Sequence, residues 1–216
     1  MKEITEAGLK ALREQIAGRL SPKRFRHTAA VEEMVARLCA VFCPEQTMLL
    51  RAAALLHDVT KELDTDAQIL LCEELRLPVS EADRLAPKTF HARTAAALIP
   101  LFYPEFDDPT VVSSVRWHTT GHADMTLEEH LLYLADYIDE SRTFENCVLL
   151  RNFFWKSYKP EMSRGDAEAL LLETLLLSYE MTVRDLLAEH APIATDTMEA
   201  RNDLLLKKSN GSFLTT

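Results

Sequence analysis

The sequence predicts an all-α protein folded as a helical bundle. The 216-residue chain contains only five glycines, and its apolar residues recur every three to four positions, which is the period of an α-helix. Helix-start signals also recur, with Ser, Thr or Asp placed just before apolar segments. Because 47% of the residues are hydrophobic, the chain can build a core without disulfides. We therefore expect a single domain spanning residues 1–216.

Charge and composition argue against several classes of partner. The formal net charge of −10 disfavours nucleic acid and anionic membrane surfaces. The N-terminal segment is charged, so we do not expect it to be a signal peptide. No apolar run is long enough for a membrane span, and we expect a cytoplasmic protein. The four cysteines lack the spacing of a zinc site, and we expect buried free thiols.

The first half of the chain predicts two long helices. Residues 24–42 place Val31, Val35 and Leu38 on one apolar stripe, with Glu32 on the opposite, solvent-facing side. Residues 49–59 are almost wholly apolar, which indicates a helix at the centre of the bundle.

The second half carries marked helix boundaries. Three helix starts have capping signals: Ser80 with Asp83, Asp108 before Pro109, and Thr126 with Glu129. Gly121 is a predicted helix stop. A Leu-rich helix is predicted over residues 166–189, and a last helix ends near Lys208. We expect residues 20–145 to form the functional core, residues 146–208 to pack on it, and the tail 209–216 to be disordered.

The Leu-rich helix is apolar on too many sides for an ordinary surface helix. Two interpretations remain open from the sequence: it forms the seam of a homodimer, or it is buried within one chain.

Six histidine and aspartate side chains fall within or at the ends of predicted helices: His27, His57, Asp58, His91, His118 and Asp136. Imidazole and carboxylate groups suit a divalent transition metal, and six of them are enough for two ions. Two adjacent ions are a known device for hydrolysing phosphate esters and anhydrides. Any one of these residues alone is more typical of a core or surface position, so the hypothesis depends on one site explaining all six.

Three other histidines are not expected to bind metal. His122 and His130 are expected to be exposed, and His190 follows a helix end.

Four segments of the chain, HTAAV, AALLHDVTK, FH and RWHTTGHADMTLEEHLLYLADYIDESR, resemble the HD-domain superfamily of metal phosphohydrolases. The chain is most similar there to the YqeK family, the symmetrical diadenosine tetraphosphate hydrolases. The resemblance to this narrower family is carried by Lys61, by the HTTG segment at residues 118–121, and by Arg142 after ADYI. It extends over nearly the whole chain.

The resemblance implies an HD-type bundle with a dinuclear metal centre that cleaves diadenosine tetraphosphate into two ADP. It implies attack of a metal-bound hydroxide on a β-phosphorus. One ion would be held by His27, His57, Asp58 and Asp136, and Asp58 would bridge to a second ion held by His91 and His118. Iron is the implied metal, with manganese, cobalt and nickel as alternatives.

The candidate catalytic residues are Asp58 and Lys61, and the candidate substrate contacts are Lys61, Arg142, Thr119, Thr120, Arg24 and Arg26. Arg142 could instead form a salt bridge with Asp139 or Glu140. The aromatic residues Phe153, Phe154, Trp155 and Tyr158 could stack on adenine, but their helical spacing favours a place in the core.

The chain departs from the family pattern at two points. After His91 the run ARTAAA stands where the family has small residues such as glycine and alanine, although Ala95 and Ala96 are still small. Asp139-Glu140 replaces the usual Glu-Pro. The second departure leaves open whether Asp139 performs the role of the family's glutamate.

Other functions stay open at the level of sequence. The chain could be another HD phosphohydrolase acting on nucleotides or guanosine alarmones, or a degenerate HD module that senses a nucleotide without hydrolysing it. The complete ligand set favours an enzyme, since degenerate domains typically lose a ligand.

Overall fold

The computed structural model describes residues 4–214, and within them the chain forms eleven α-helices joined by short turns and 3-10 segments. The helices are α1 (Glu6–Arg19), α2 (Pro22–Phe42), α3 (Thr47–Leu56), α4 (Thr65–Glu74), α5 (Glu81–Leu85), α6 (Phe90–Phe102), α7 (Pro109–Trp117), α8 (Leu127–Ile138), α9 (Glu145–Ser157), α10 (Arg164–Ala188) and α11 (Thr195–Asn210). The predicted all-α fold is confirmed.

Helix α3 lies at the centre of the bundle, as its apolar sequence predicts. Its residues from Ala52 to Leu56 are fully buried, and it packs against α1, α2, α6, α7 and α8. Three consecutive alanines, starting at Ala52, let these neighbours approach closely. The helix ends at Leu56, so the next two residues, His57 and Asp58, turn into the middle of the bundle.

The predicted helix starts are confirmed by their hydrogen bonds. Ser80 and Thr126 each complete a capping box with the residue three positions later, and Asp108 accepts a hydrogen bond from the Thr110 amide. Several boundaries differ from the prediction by two or three residues, among them the start of α2 at Pro22 and the end of α3 at Leu56. Helix α10 starts at Arg164 because Ser163 caps it, and α11 runs to Asn210, where Gly211 adopts a left-handed conformation.

Two side chains expected on the solvent side are buried. Glu32 is 1% exposed because Arg13 and Arg51 from α1 and α3 form ion pairs with it at 2.5 and 3.0 Å. His130 is 2% exposed, since the ring of Phe213 packs on it from the end of the chain. The expectation of exposure was wrong for both, because a distant segment covers each helix face.

The segment after α11 is only partly the frayed tail that the sequence suggests. Ser209 and Asn210 belong to α11, and Phe213 is 9% exposed against the core. Residues 215–216 lie outside the described part of the chain.

The Leu-rich helix α10 packs against α8, α9 and α11 of the same chain. Leu171 and Leu175 are fully buried there, and Leu170 and Leu177 pack against the core while partly exposed. Its apolar residues are therefore largely covered within one chain.

The four cysteines, Cys39, Cys43, Cys72 and Cys147, are buried free thiols, which confirms that prediction. None of the helices within residues 4–214 has the length and hydropathy required to cross a membrane.

Candidate metal centre

The six predicted metal ligands come from five separate places in the chain and converge on one point. His27 lies near the start of α2, His57 and Asp58 follow α3, His91 is the second residue of α6, His118 follows α7, and Asp136 lies in the last turn of α8. All but Asp136 are buried as whole residues, and its side chain is 18% exposed.

One half of the centre joins His27, His57 and Asp136, whose ligand atoms lie within 4.8 Å of one another. Asp136 Oδ1 is 2.9 Å from His27 Nε2 and 3.8 Å from His57 Nε2. Asp58 Oδ2 is 3.7 Å from His27 Nε2 and 3.4 Å from His57 Nε2. These four side chains therefore surround one small volume.

The other half is defined by the second oxygen of Asp58. Asp58 Oδ1 is 3.4 Å from His91 Nε2 and 3.9 Å from His118 Nε2, and those two nitrogens are 3.0 Å apart. The ligand atoms of His57, Asp58 and His118 also lie within 4.8 Å of one another, so the two halves adjoin. Each oxygen of Asp58 thus faces its own pair of imidazoles.

Hydrogen bonds behind the rings fix the orientation of the histidines. The Nδ1–H groups of His57, His91 and His118 donate to the carbonyls of Ala54, Lys88 and Val115 at 2.6, 2.8 and 2.7 Å. Since a carbonyl can only accept, each Nε2 is left free to point into the centre. This outer layer of acceptors is typical of histidines that bind metal.

The donor set fits a divalent metal with nitrogen and oxygen ligands. Nε2 of His57 is buried and has no hydrogen-bond partner within residues 4–214. Buried nitrogens without partners cost free energy unless they bind something, and the ligands are those that iron, manganese, cobalt and nickel accept.

The electrostatics keep Asp58, His91 and His118 in the protonation states that bind a metal. Burial raises the pKa of Asp58, but its interactions with His57, His91 and Lys61 outweigh burial and hold that pKa well below its usual value. Burial lowers the pKa of His91 well below its usual value and that of His118 to about 4. At neutral pH the carboxylate is therefore charged and both imidazoles are neutral, as metal binding requires.

His27 differs from the other histidines because two carboxylates face its ring. Nδ1 lies 3.2 Å from Asp139 Oδ2, and Nε2 lies 2.9 Å from Asp136 Oδ1. Burial lowers the pKa of His27, but Asp136 and Asp139 together raise it to about 9. A metal bound here must therefore displace a proton.

Three cations border the centre. Lys61 Nζ lies 3.2 Å from His91 Nε2, Arg24 contacts Asp58 Oδ2 at 2.7 Å, and Arg142 contacts Asp136 Oδ1 at 2.6 Å. Arg142 also lies 3.3 Å from Asp139, so the salt bridge considered for this residue is present with Asp139.

The remaining predicted substrate contacts, Thr119, Thr120 and Arg26, differ in how they relate to the metal centre. Thr119 Oγ1 lies 3.1 Å from Nε2 of both His91 and His118. Thr120 donates its hydroxyl to the Gly121 carbonyl. Arg26 is exposed, and its side chain forms no hydrogen bond or ion pair with any of the six metal-ligand candidates in the described chain.

A cavity of about 370 Å³ opens beside the metal centre. Lys61, His118, Asp136 and Arg142 form its polar end. Its other walls are mainly apolar, and they include Leu85, Pro87, Tyr133, Tyr137, Leu186 and Pro192. Sequence reasoning missed these walls because they come from segments far apart in the chain and share no local motif.

The aromatic residues of α9 do not line this cavity. Phe154 is fully buried in the core, and Trp155 packs under the guanidinium of Arg37. The preference for a core role is confirmed for Phe154.

A buried, imidazole-rich centre with flanking cations, set in a helical bundle, defines a class of metal-dependent phosphohydrolase. The HD domain family model matches residues 24–141, a segment that includes all six ligand candidates. The chain belongs to the HD domain family.

Two curated relatives are similar over most of the chain, and both are named symmetrical bis(5'-nucleosyl)-tetraphosphatase. The Halalkalibacterium halodurans protein is 29% identical over 88% of this chain and 92% of its own length. The Bacillus subtilis protein is 26% identical over 86% of this chain and 91% of its own length.

A solved structure has the same fold. It is a crystal structure from Clostridium acetobutylicum, described as a predicted HD superfamily hydrolase involved in NAD metabolism. It superposes with a TM-score of 0.78 at 26% identity and covers 92% of this chain and 97% of its own.

Proposed function

We propose that this chain hydrolyses diadenosine tetraphosphate symmetrically to two ADP, using two divalent transition-metal ions, with iron as the first candidate. One observation carries the proposal: the two oxygens of Asp58 face two different pairs of imidazoles. The names of the two curated relatives support the choice of substrate.

The ligands fall into two sets that share Asp58. His27, His57 and Asp136 would hold one ion and His91 and His118 the other, with one oxygen of Asp58 for each. Such a pair of ions supplies Lewis acidity toward phosphoryl oxygens and lowers the pKa of water to near neutral.

The cations around the centre suit a polyphosphate. Lys61 and Arg142 stand at the polar end of the large cavity, where their charges would neutralise phosphate oxygens and the departing ADP. The guanidinium of Arg142 can bind two oxygens at once, whereas Lys61 acts as a point charge. Arg24, held against Asp58, would meet phosphates from the other side.

The large cavity suits one nucleoside half of the substrate. Its volume of about 370 Å³ falls in the roughly 300–1,000 Å³ range of small-molecule sites. Its walls are mainly apolar and its metal-facing end is charged, so an adenosine could occupy the walls while its phosphates reach the ligands.

Asp139 takes the place of the glutamate expected from the family pattern. Its Oδ2 is 3.2 Å from His27 Nδ1, and its side chain is completely buried. We assign it a positioning role: its carboxylate holds the His27 ring so that Nε2 faces the centre.

The proposal is tested by product analysis. Protein loaded with manganese, cobalt or ferrous iron is given diadenosine tetraphosphate, with metal-free protein and the Asp58→Ala variant as controls. ADP as the sole product, lost in both controls, is the expected result. ATP plus AMP would contradict symmetrical cleavage, and no turnover by fully metal-loaded protein would reject this substrate.

A further inference from the structure

A second cavity, of about 160 Å³, adjoins the large one. The two share Ala86, Thr89, Thr120 and Ala194 in their walls. The smaller cavity is lined by two arginines, Arg93 from α6 and Arg116 from α7. It is therefore a polar extension of the cavity beside the metal centre.

The two arginines are separate from the metal centre. Each lies two residues from a ligand candidate, Arg93 from His91 and Arg116 from His118. Positions two apart on a helix point roughly 200° apart at 3.6 residues per turn. Helices α6 and α7 thus direct imidazoles to one side and guanidinium groups to the other.

Arg116 has an unusual environment for an arginine. Within residues 4–214 it is the one arginine that is not exposed and yet makes neither a hydrogen bond nor an ion pair. Its guanidinium stacks on the neighbouring Trp117 ring, 3.9 Å from the centroid. The face of the Trp117 ring supplies no hydrogen-bond acceptor for the N–H groups, which lie in the plane of the guanidinium. Partly buried charges of this kind are normally paired.

The carboxylates of the small cavity do not supply that pair. Asp83 already contacts Arg93 at 3.2 Å and accepts hydrogen bonds from Ser80. Asp196, in the first turn of α11, lies beyond ion-pair distance of Arg116, and among the described residues it has no cationic partner.

We infer that the small cavity is a subsite for a phosphate-class oxyanion, with Arg116 as its main ligand and Arg93 as its second cation. A guanidinium presents paired N–H donors that match two phosphate oxygens. The volume is several times the roughly 30 Å³ that a water molecule occupies, yet below the roughly 300 Å³ at which sites for whole small molecules begin. The cavity therefore has room for a phosphate group.

The oxyanion has two chemical sources. It is either a phosphate group of a nucleotide that occupies the large cavity, or free inorganic phosphate. Only the first source rests on the proposed function. Phosphate binding itself is measured without any turnover, so loss of the proposed hydrolase activity would leave the subsite testable.

The test is calorimetric titration of inorganic phosphate into full-length, manganese-loaded protein. Wild-type protein should bind two phosphates per chain, one at the metal centre and one at the arginines. Arg116→Gln should weaken one of them about tenfold or more, as expected for loss of a charge-assisted hydrogen-bond pair, while the manganese content stays unchanged. Arg184→Gln, which alters an exposed arginine of α10, is the matched control and should behave as wild type.

The Asp196→Asn variant distinguishes an anion-binding role of Arg116 from a purely structural one. If the cavity holds an anion, removing the neighbouring carboxylate should strengthen phosphate binding severalfold. If Asp196 instead neutralises Arg116, the variant should lose stability without any gain in phosphate affinity, which would overturn the inference. If Arg116→Gln fails to fold, Asp196→Asn and Arg116→Lys still test the inference. Arg116→Lys keeps the positive charge but loses the paired N–H donors.

Steady-state kinetics then identify the source. A KM for diadenosine tetraphosphate that rises about tenfold in Arg116→Gln with kcat unchanged assigns the subsite to the nucleotide. An unchanged KM with loss of inhibition by inorganic phosphate assigns it to free phosphate. Equal phosphate stoichiometry and affinity in wild type and Arg116→Gln would overturn the inference, and so would phosphate loss accompanied by manganese loss.

Discussion

The two carboxylate oxygens of Asp58 lie between two sets of imidazoles. Neighbouring groups orient each imidazole ring. The Nδ1 atoms of His57, His91 and His118 are held by backbone carbonyls three residues earlier. These histidines are therefore oriented by the helices that carry them. His27 differs from these three, because side chains face its Nδ1: Asp139 Oδ2 at 3.2 Å and Ser141 Oγ at 3.4 Å.

Replacing Lys61 with alanine should lower kcat while leaving the metal content unchanged. The ammonium lies next to His91 and faces the large cavity, where it can meet phosphate but is not itself a ligand. Loss of one such electrostatic contact costs roughly 100-fold in rate. Steady-state kinetics and metal analysis on one preparation measure both effects, with exposed Lys10→Ala as the control. Loss of metal from Lys61→Ala would show that the assigned role is wrong.

Replacing Asp139 with alanine should weaken metal binding by about 10–100-fold, the usual effect of removing the partner of a metal-bound histidine. Asp139→Glu keeps the carboxylate and should retain more of the affinity. Competitive titration with a fluorescent chelator measures both variants. Equal losses in the two would indicate a packing effect in place of positioning through His27.

His130 gives a prediction about stability and pH. Burial, with the charge of Lys207 as a smaller cause, lowers its pKa from 6.5 to about 3. Between these values the unfolded chain binds more protons than the folded one. The contribution of neutral His130 to the free energy of unfolding is therefore complete above pH 6.5. It falls by about 1.4 kcal/mol per pH unit as the pH decreases toward 3.

His130→Leu should remove this acid sensitivity while leaving turnover unchanged. The leucine keeps an apolar contact with Phe213 and cannot be protonated. Urea denaturation at pH 7.5, 6 and 5 should show a difference between variant and wild type that grows in favour of the variant as the pH falls. His190→Asn, at an exposed position, is the control. Parallel pH curves for wild type and His130→Leu would refute the assignment.

At the scale of elements, the turn between α7 and α8 depends on the glycine of the HTTG segment. Gly121 has a φ of +65°, a conformation that side chains disfavour. A β-carbon there would lie 2.0 Å from Tyr179 Oη and 2.9 Å from Met125 Sδ. Helix α10 therefore presses directly on the turn that carries His118 and Thr119.

Gly121→Ala should destabilise the protein and lower its activity. The left-handed conformation alone costs roughly 1–2 kcal/mol for alanine, and the clash with Tyr179 adds to this. Combining it with Tyr179→Phe should recover part of the loss in melting temperature, since the phenylalanine lacks the clashing oxygen. Gly18→Ala is the control, because a β-carbon there meets nothing within 4 Å. It should raise the melting temperature, since alanine favours a helix more than glycine does. Equal melting temperatures for Gly121→Ala and wild type would contradict this account.

At the scale of the whole molecule, the sequence predicted those features that depend on residues close together in the chain. The 3.6-residue period predicted the helices, and capping residues located three of their starts, two of them with capping boxes. The HTTG and ADYI segments pointed to the ligand candidates. The burial of Glu32 was not predictable in this way, because its partners Arg13 and Arg51 come from other helices. The walls of both cavities escaped prediction for the same reason, since periodicity tells which face of a helix is apolar and not which segment covers it.

We propose that Asp58 joins two metal sites in one centre, and the metal content per chain tests this proposal most directly. Protein purified and reconstituted with iron or manganese should contain two ions per chain by elemental analysis. His91→Ala should keep one ion, because His27, His57 and Asp136 remain, and Asp58→Ala should lose both ions together with all turnover. A wild-type protein that saturates at one ion per chain, or an Asp58→Ala variant that retains two, would contradict the account.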